Sequence, residues 1–265
     1  MLKLTRQLFF YDPHGFYMDY YEQGLYNHIL ASVAENDPGN TYHVPLNPGA
    51  RKQFDNAEMD GFSCCNGTAL ESNTKFQDSI YFRNRDNETL YVNLYIPSTL
   101  CWQEKKVSLR QLTDYPYSDQ TLLLISGTGE FELKVRVPAW AKNGFFVRVN
   151  DRELKTDARP GSYVSLGRKW RNGDAVEIRM PFSFRLMPLK DQPNIAAIFY
   201  GPVLLAAEEP GPLKTWHSLH LNRQDILRSI QGDPTSLRFS VDGVNLKPFF
   251  LSYGHHSVYF DIRLD

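Results

Sequence analysis

Phe131-Glu-Leu-Lys-Val-Arg-Val137 alternates apolar and charged residues without a break. That is the pattern of a β-strand with one face in a core and the other wet. Segments of the same grammar flank it, at 90–96, 107–112, 121–125, 146–150, 163–166, 175–180 and 184–187. The spacers between them carry turn residues: Pro138, Asn150-Asp151, Pro160-Gly161 and Asn172-Gly173. Many short strands at near-regular spacing predict an antiparallel β-sandwich. Asn194-Ile-Ala-Ala-Ile-Phe-Tyr200, Gly201-Pro202 and Val203-Leu-Leu-Ala206 then read as a buried strand, a turn and a second strand. Beyond them a short helix over 224–230 and strands near Leu237 and Val258 are expected, and no internal repeat is present.

Upstream of residue 84 the period changes. Residues 1–11 have helical periodicity from the start, with Leu4, Leu8 and Tyr11 on one face. After the turn Asp12-Pro-His-Gly15, the segment 16–32 spaces Tyr17, Tyr20, Tyr21, Leu25, Ile29 and Leu30 at helical intervals. A turn cluster at 35–40, an extended piece at 41–46 and a polar loop to Gly61 follow. A helix is expected over 67–82, with Leu70, Phe76 and Ile80 toward a core. Three such pieces make a poor stand-alone bundle. A helix that begins at residue 1 without a cap or leader reads as the middle of something longer.

At 265 residues the chain can bury a sizeable core. With 29 basic and 30 acidic residues it offers no charged patch suited to nucleic acid, a membrane surface or a polyanion. No apolar run reaches the roughly 18 residues needed to span a bilayer. Aromatic residues make up 14% of the chain, which suits both sandwich cores and sugar-facing surfaces. Three cysteines do not make a disulfide framework, and Cys101 has no obvious partner.

The other two, Cys64 and Cys65, lie in Gly61-Phe-Ser-Cys-Cys-Asn-Gly-Thr-Ala-Leu-Glu71. Adjacent residues are poorly placed for a disulfide, since their α-carbons are about 3.8 Å apart, below the bridged range of roughly 4.4–6.8 Å. Two readings stand side by side. Cysteine is among the most buried residue types, so the pair can be inert packing. Alternatively, vicinal thiols beside a helix start suit metal ligation or thiolate chemistry, because the positive helix end lowers a thiol pKa. Asn66 is a candidate N-cap, and Thr68 to Glu71 fits a capping box in another register.

Several blocks occur together and in order: Met1-Leu-Lys-Leu-Thr-Arg6, Tyr21-Glu22, Leu25-Tyr-Asn-His-Ile-Leu30, Pro45-Leu46 with Pro48-Gly49, and Cys64-Cys-Asn-Gly-Thr68. Leu90-Tyr-Val-Asn-Leu-Tyr-Ile-Pro97, Val135-Arg-Val-Pro-Ala-Trp140 and Tyr200-Gly-Pro202 continue the series. The series resembles the β-L-arabinofuranosidases of glycoside hydrolase families 127 and 146, and the resemblance is weakest after about residue 208. It implies an α+β multidomain fold: the C-terminal helices of an (α/α)6 barrel over 1–83, a β-sandwich over 84–190, and a β-rich segment over 191–265 that completes or extends it. It also implies an exo-acting, retaining hydrolase of β-L-arabinofuranosides, whose partner is an arabinose-containing glycan. In that family zinc is held by one glutamate and three cysteines. Matched by position, Cys64 is the nucleophile and a zinc ligand, and Cys65 is a second zinc ligand. The family's Glu-x-Cys ligands and its acid/base glutamate fall upstream of the position matching Met1, so this chain alone is expected to be inactive and to bind zinc weakly.

Local substitutes are few. Glu58, Asp60 and His43 are the nearest candidates in sequence, with Glu71 reading as a helix-cap carboxylate and Tyr42 as a residue lining the site or packing. His255-His256 lacks metal-ligand spacing and is expected in a turn before the last strand. Trp102, Trp140, Trp170 and Trp216 are sugar platforms or core residues. The rival functions are a non-catalytic carbohydrate-binding or scaffolding sandwich module and a redox-active dithiol. The compartment is not legible.

Overall fold

The computed structural model describes residues 1–36, 39–55 and 63–264. The chain is mostly β with few helices. Its contacts cluster into two units, Met1–Glu22 with Phe76–Phe182, and Gln23–Lys75 with Ser183–Asp265. Each unit therefore draws on both the helical and the strand-rich parts of the sequence.

In the first unit, a four-stranded sheet runs Ser162–Trp170, Gly129–Val137, Thr89–Val92, Tyr81–Arg83. A six-stranded sheet runs Ser98–Trp102, Val107–Thr113, Gln120–Gly127, Ala175–Arg179, Phe146–Val149, Arg152–Leu154. Their inner faces share an apolar core: Trp102 of one meets Phe131 of the other, ring centroids 5.1 Å apart. The alternation of 131–137 sends Phe131, Leu133, Val135 and Val137 into that core, all buried. The arrangement is sandwich-like but not wholly antiparallel, because Thr89–Val92 pairs in parallel with Gly129–Val137.

Two helices, α1 (Leu2–Tyr11) and α2 (Gly15–Gly24), form where helical periodicity predicts them. The buried side of α1 is not the expected one. Leu4, Leu8 and Tyr11 are exposed, while Phe9 packs on Phe82, Tyr91 and Tyr163 on the outer face of the four-stranded sheet. On that same face Arg136, which alternation alone assigns to solvent, is completely buried. Its guanidinium donates to Asn93 O at 2.6 Å, to Asp19 Oδ1 at 2.5 Å and to Glu22 Oε1. Glu22 also accepts from Trp140 Nε1 at 2.9 Å and from the Tyr115 hydroxyl at 2.7 Å. Burial opposes the charge on Arg136, but Glu22 and Asp19 outweigh it and push the guanidinium pKa further up.

The second unit is built on a ten-stranded sheet whose core includes Ile198, Val203, Leu205, Leu219, Leu221, Phe249 and Phe260. Phe184–Pro188 belongs to this sheet. Ser218–Leu221 pairs in parallel with Tyr259–Leu264, a second departure from the expected antiparallel pattern. Residues 25–32 continue from α2 as one π turn and one 3-10 turn. There Asn27 holds the Gly201-Pro202 turn, donating to Pro202 O at 2.9 Å and accepting from Leu204 N at 2.7 Å. His255-His256 lies in a strand rather than a turn, paired with Ala50–Arg51. Its rings bind main chain, His255 Nδ1 to Gly49 O at 2.7 Å and His256 Nε2 to Pro45 O at 3.0 Å.

Lys52 is only 2% exposed in this unit. Its ammonium donates to Phe249 O at 3.0 Å and lies over the Phe249 ring at 4.3 Å. Burial, helped by Lys247, pushes its pKa down to about 7. In the unfolded chain Lys52 keeps its proton up to about its ordinary value of 10.5. Between these values the unfolded state binds more protons, so stability should rise with pH, by at most about 1.4 kcal/mol per pH unit. Urea midpoints compared at about pH 7 and about pH 9 check this; Lys52→Met should flatten the rise.

Candidate functional site

Helix α3 (Cys64–Lys75) begins three residues before the expected start and ends before the 3-10 turn Phe76–Ser79 and the strand Tyr81–Arg83. Both cysteines therefore occupy its first turn. The cap is Ser63, not Asn66 or Thr68. Ser63 Oγ accepts from Cys65 N at 3.2 Å, and Asn66 Oδ1 reaches back to accept from Ser63 N at 2.8 Å and Ser63 Oγ at 2.7 Å. This is a reciprocal capping box with asparagine in the third helical position. Asn66 is buried, and its Nδ2 donates to Asp55 Oδ2 at 2.7 Å, anchoring the turn that carries the thiols. Asn66→Ala strips three partners at once and should cost about 1–3 kcal/mol. It should also speed alkylation of the two thiols by iodoacetamide; an unchanged melting curve and unchanged alkylation rate would contradict this anchoring role.

The sulfurs of Cys64 and Cys65 are 4.0 Å apart, both thiols are free, and Cys64 is exposed. The helix start does not lower the Cys65 thiol as the sequence suggested. Local desolvation, and then the adjoining Cys64 thiol, push its pKa up, while hydrogen bonds from Tyr42 and Ser63 pull the other way. Tyr42 thus meets the cysteine pair, is itself 54% exposed, and carries His43 against its ring at 4.5 Å. Glu71 does not cap the helix; it pairs with Lys75 one turn on, at 3.6 Å. Glu58 and Asp60 lie outside the described residues. Trp102, Trp140 and Trp170 are buried in the first unit and so are core residues there, while Trp216, in the second unit, is half-buried with Tyr259 edge-on at 5.9 Å.

Two thiolates on one tetrahedral zinc, with bonds of about 2.3 Å, sit roughly 3.8 Å apart. The pair observed at 4.0 Å fits two positions of such a set with little adjustment. Among the described residues no third His, Cys, Asp or Glu joins them to form a metal-binding group. Sequence reasoning missed Ser63 and placed Asn66 at the cap itself rather than in the third helical position, although Ser63-x-x-Asn66 carries the capping-box spacing, and it missed Glu22, Asp19 and Arg136 as a buried cluster.

The family description "Beta-L-arabinofuranosidase, GH127 catalytic domain" matches residues 1–78, and "Beta-L-arabinofuranosidase, GH127 middle domain" matches residues 89–182. Comparison with curated proteins gives no match. Among solved structures, a GH127 β-arabinofuranosidase is 23% identical with a TM-score of 0.80, covering 99% of this chain and 48% of that one. A GH127 β-L-arabinofuranosidase from Geobacillus stearothermophilus T6 is 19% identical with a TM-score of 0.78, covering 99% and 48%. A further glycoside hydrolase is 18% identical with a TM-score of 0.78, covering 98% and 51%. The chain thus spans about half the length of the solved structures it matches. With catalytic-domain and middle-domain descriptions both matched in chain order, the chain belongs to the GH127 β-L-arabinofuranosidase family.

Proposed function

We propose that this chain supplies the cysteine half of a retaining, zinc-thiolate site that hydrolyses β-L-arabinofuranosides of an arabinose-containing glycan. The observation that carries the proposal is the presentation of two thiols side by side on one capped helical turn, inside the stretch matched by the catalytic domain. Cys64, exposed, is the nucleophile, and Cys64 and Cys65 are two zinc ligands. When bound, zinc would hold both sulfurs as thiolates at neutral pH, which their ordinary pKa does not allow.

Cys64 Sγ attacks the anomeric carbon and the glycosidic C–O bond breaks. The departing oxygen takes a proton from a carboxylic acid on the opposite side of the bond. Water then gives its proton to that carboxylate and displaces the sulfur, which returns the thiolate. Ser63 and Asn66 fix the turn, and Tyr42 borders the Cys65 thiol.

We also take α1 and α2 as helices of an (α/α)6 barrel. The exposed large side chains Leu4, Leu8 and Tyr11 of α1 and Phe16 and Tyr20 of α2 support that reading. Among the described residues no further His, Cys, Asp or Glu joins the cysteine pair, and a nucleophile without a paired acid does not complete the reaction. The 265-residue chain should therefore release no nitrophenol from nitrophenyl β-L-arabinofuranoside and should hold zinc substoichiometrically. Turnover by the isolated chain that scales with its concentration and vanishes in Cys64→Ala would overturn this inactivity.

A further inference from the structure

The two sheets of the first unit are not equally covered. Helices α1 and α2 seal the outer face of the four-stranded sheet through Phe9, Asp19 and Glu22. The outer face of the six-stranded sheet carries an open groove of about 1120 Å3. Register makes that face a row: Leu112 opposes Leu122, Leu122 opposes Glu177, Glu177 opposes Arg148, and Arg148 opposes Glu153. A second row beside it runs from Gln120 to Arg179 to Phe146.

Two features of this surface select its occupant. First, its charged groups lean acidic, with Asp114, Glu153 and Glu177 lining the groove beside Arg148 and Arg179. Arg148 Nη1 lies 3.0 Å from Glu177 Oε2, and Arg179 Nε lies 3.5 Å from Asp119 Oδ2. That acidic excess disfavours a polyanion. Secondly, Phe146 stands 45% exposed with Arg179 opposite it and Arg148 two residues along the strand. A large apolar ring flanked by guanidinium donors, with the Glu177 carboxylate as an acceptor beside Arg148, suits a neutral polyhydroxylated ligand, whose C–H faces stack and whose hydroxyls bridge donors to acceptors. The groove exceeds the roughly 300–1000 Å3 of small-molecule pockets, which favours a chain of sugars over one sugar.

We propose that the outer face of the six-stranded sheet, centred on Phe146, Arg179 and Glu177, binds a neutral oligosaccharide chain at a site separate from the cysteine pair. The proposal deepens the glycosidase reading and rests on it for the class of ligand. Such a surface would hold the polysaccharide whose side chains the thiol site trims.

The test is affinity electrophoresis of the 265-residue chain in gels containing soluble arabinan, arabinogalactan or arabinoxylan, with heparin as the anionic control. At least one neutral polysaccharide should retard the chain, and heparin should not. Phe146→Ala and Arg179→Ala, each checked by near-ultraviolet circular dichroism, should each weaken retardation about tenfold. Cys64→Ala should leave it unchanged, which separates this site from the fate of the catalytic reading. The proposal is overturned by no retardation in any of the three gels, or by retardation that both surface variants retain. Loss of retardation in Cys64→Ala overturns it as well. So does retardation by heparin alone, or self-association of the chain that Phe146→Ala abolishes, which would mark the face as an interface between copies.

Discussion

Cys64→Ala, placed in the full-length context with the remainder of the catalytic domain, should lower kcat by about 10^4- to 10^6-fold, the scale seen when a covalent nucleophile is removed. The loss should not come from unfolding. Cys64 is exposed, and α3 buries only Asn66 among its residues. The cap contacts run through Ser63 and Asn66 rather than through either sulfur. Melting temperature and far-ultraviolet circular dichroism should therefore match the parent. Cys65→Ala makes the complementary variant. It retains the nucleophile but loses a metal donor and the hydrogen bond from Tyr42, so its zinc content should fall along with its activity. Mass spectrometry of the enzyme trapped with substrate should show a glycosyl adduct on the peptide containing Cys64, absent in Cys64→Ala. Retention of more than a tenth of parental kcat in Cys64→Ala would remove Cys64 from the nucleophile's role.

The residues that made the fold legible were those with a single master. Phe131, Leu133, Val135 and Val137 alternate because one sheet face meets one core, and the strand formed over Gly129–Val137. The edge strand Arg152–Leu154 escaped notice because three residues with two charges carry no period. The strand His255–Ser257 escaped because its histidines serve main-chain carbonyls rather than a hydrophobic layer. Arg136 shows the limit most sharply. Its place in the alternation is that of a wet residue, and only the helix from over a hundred positions away makes it dry. The cysteine pair could be read from adjacency and the helix start, but its cap could not be placed while Asn66 was taken for the first helical turn's boundary. No local pattern says which distant side chains a metal site will recruit.

Arg136→Ala should be the most damaging single substitution in the first unit, costing about 3–5 kcal/mol, the range for removing one partner of a buried ion pair. Both carboxylates facing Arg136 stay behind. Glu22 is 2% exposed and, among the described residues, keeps Trp140 and Tyr115 as donors. Asp19 keeps the Ala139 amide at 3.1 Å. Even with Arg136 present, burial holds the Asp19 carboxyl above its ordinary pKa, with Arg136 pulling it down. Without the guanidinium that opposition is gone. A carboxyl whose folded pKa is raised above its unfolded value favours the folded state only while protonated, and the advantage is lost as pH rises. The deficit of Arg136→Ala relative to the parent should therefore be largest near neutrality and shrink as pH falls toward about 4. Adding Asp19→Asn and Glu22→Gln should recover much of the loss at neutral pH, because the stranded charges go. Urea midpoints of the three proteins at both pH values measure the effect. A deficit below about 1 kcal/mol, or one that does not change with pH, would mean that water reaches these carboxylates and that the cluster does not join α2 to the sheet as a desolvated ion pair.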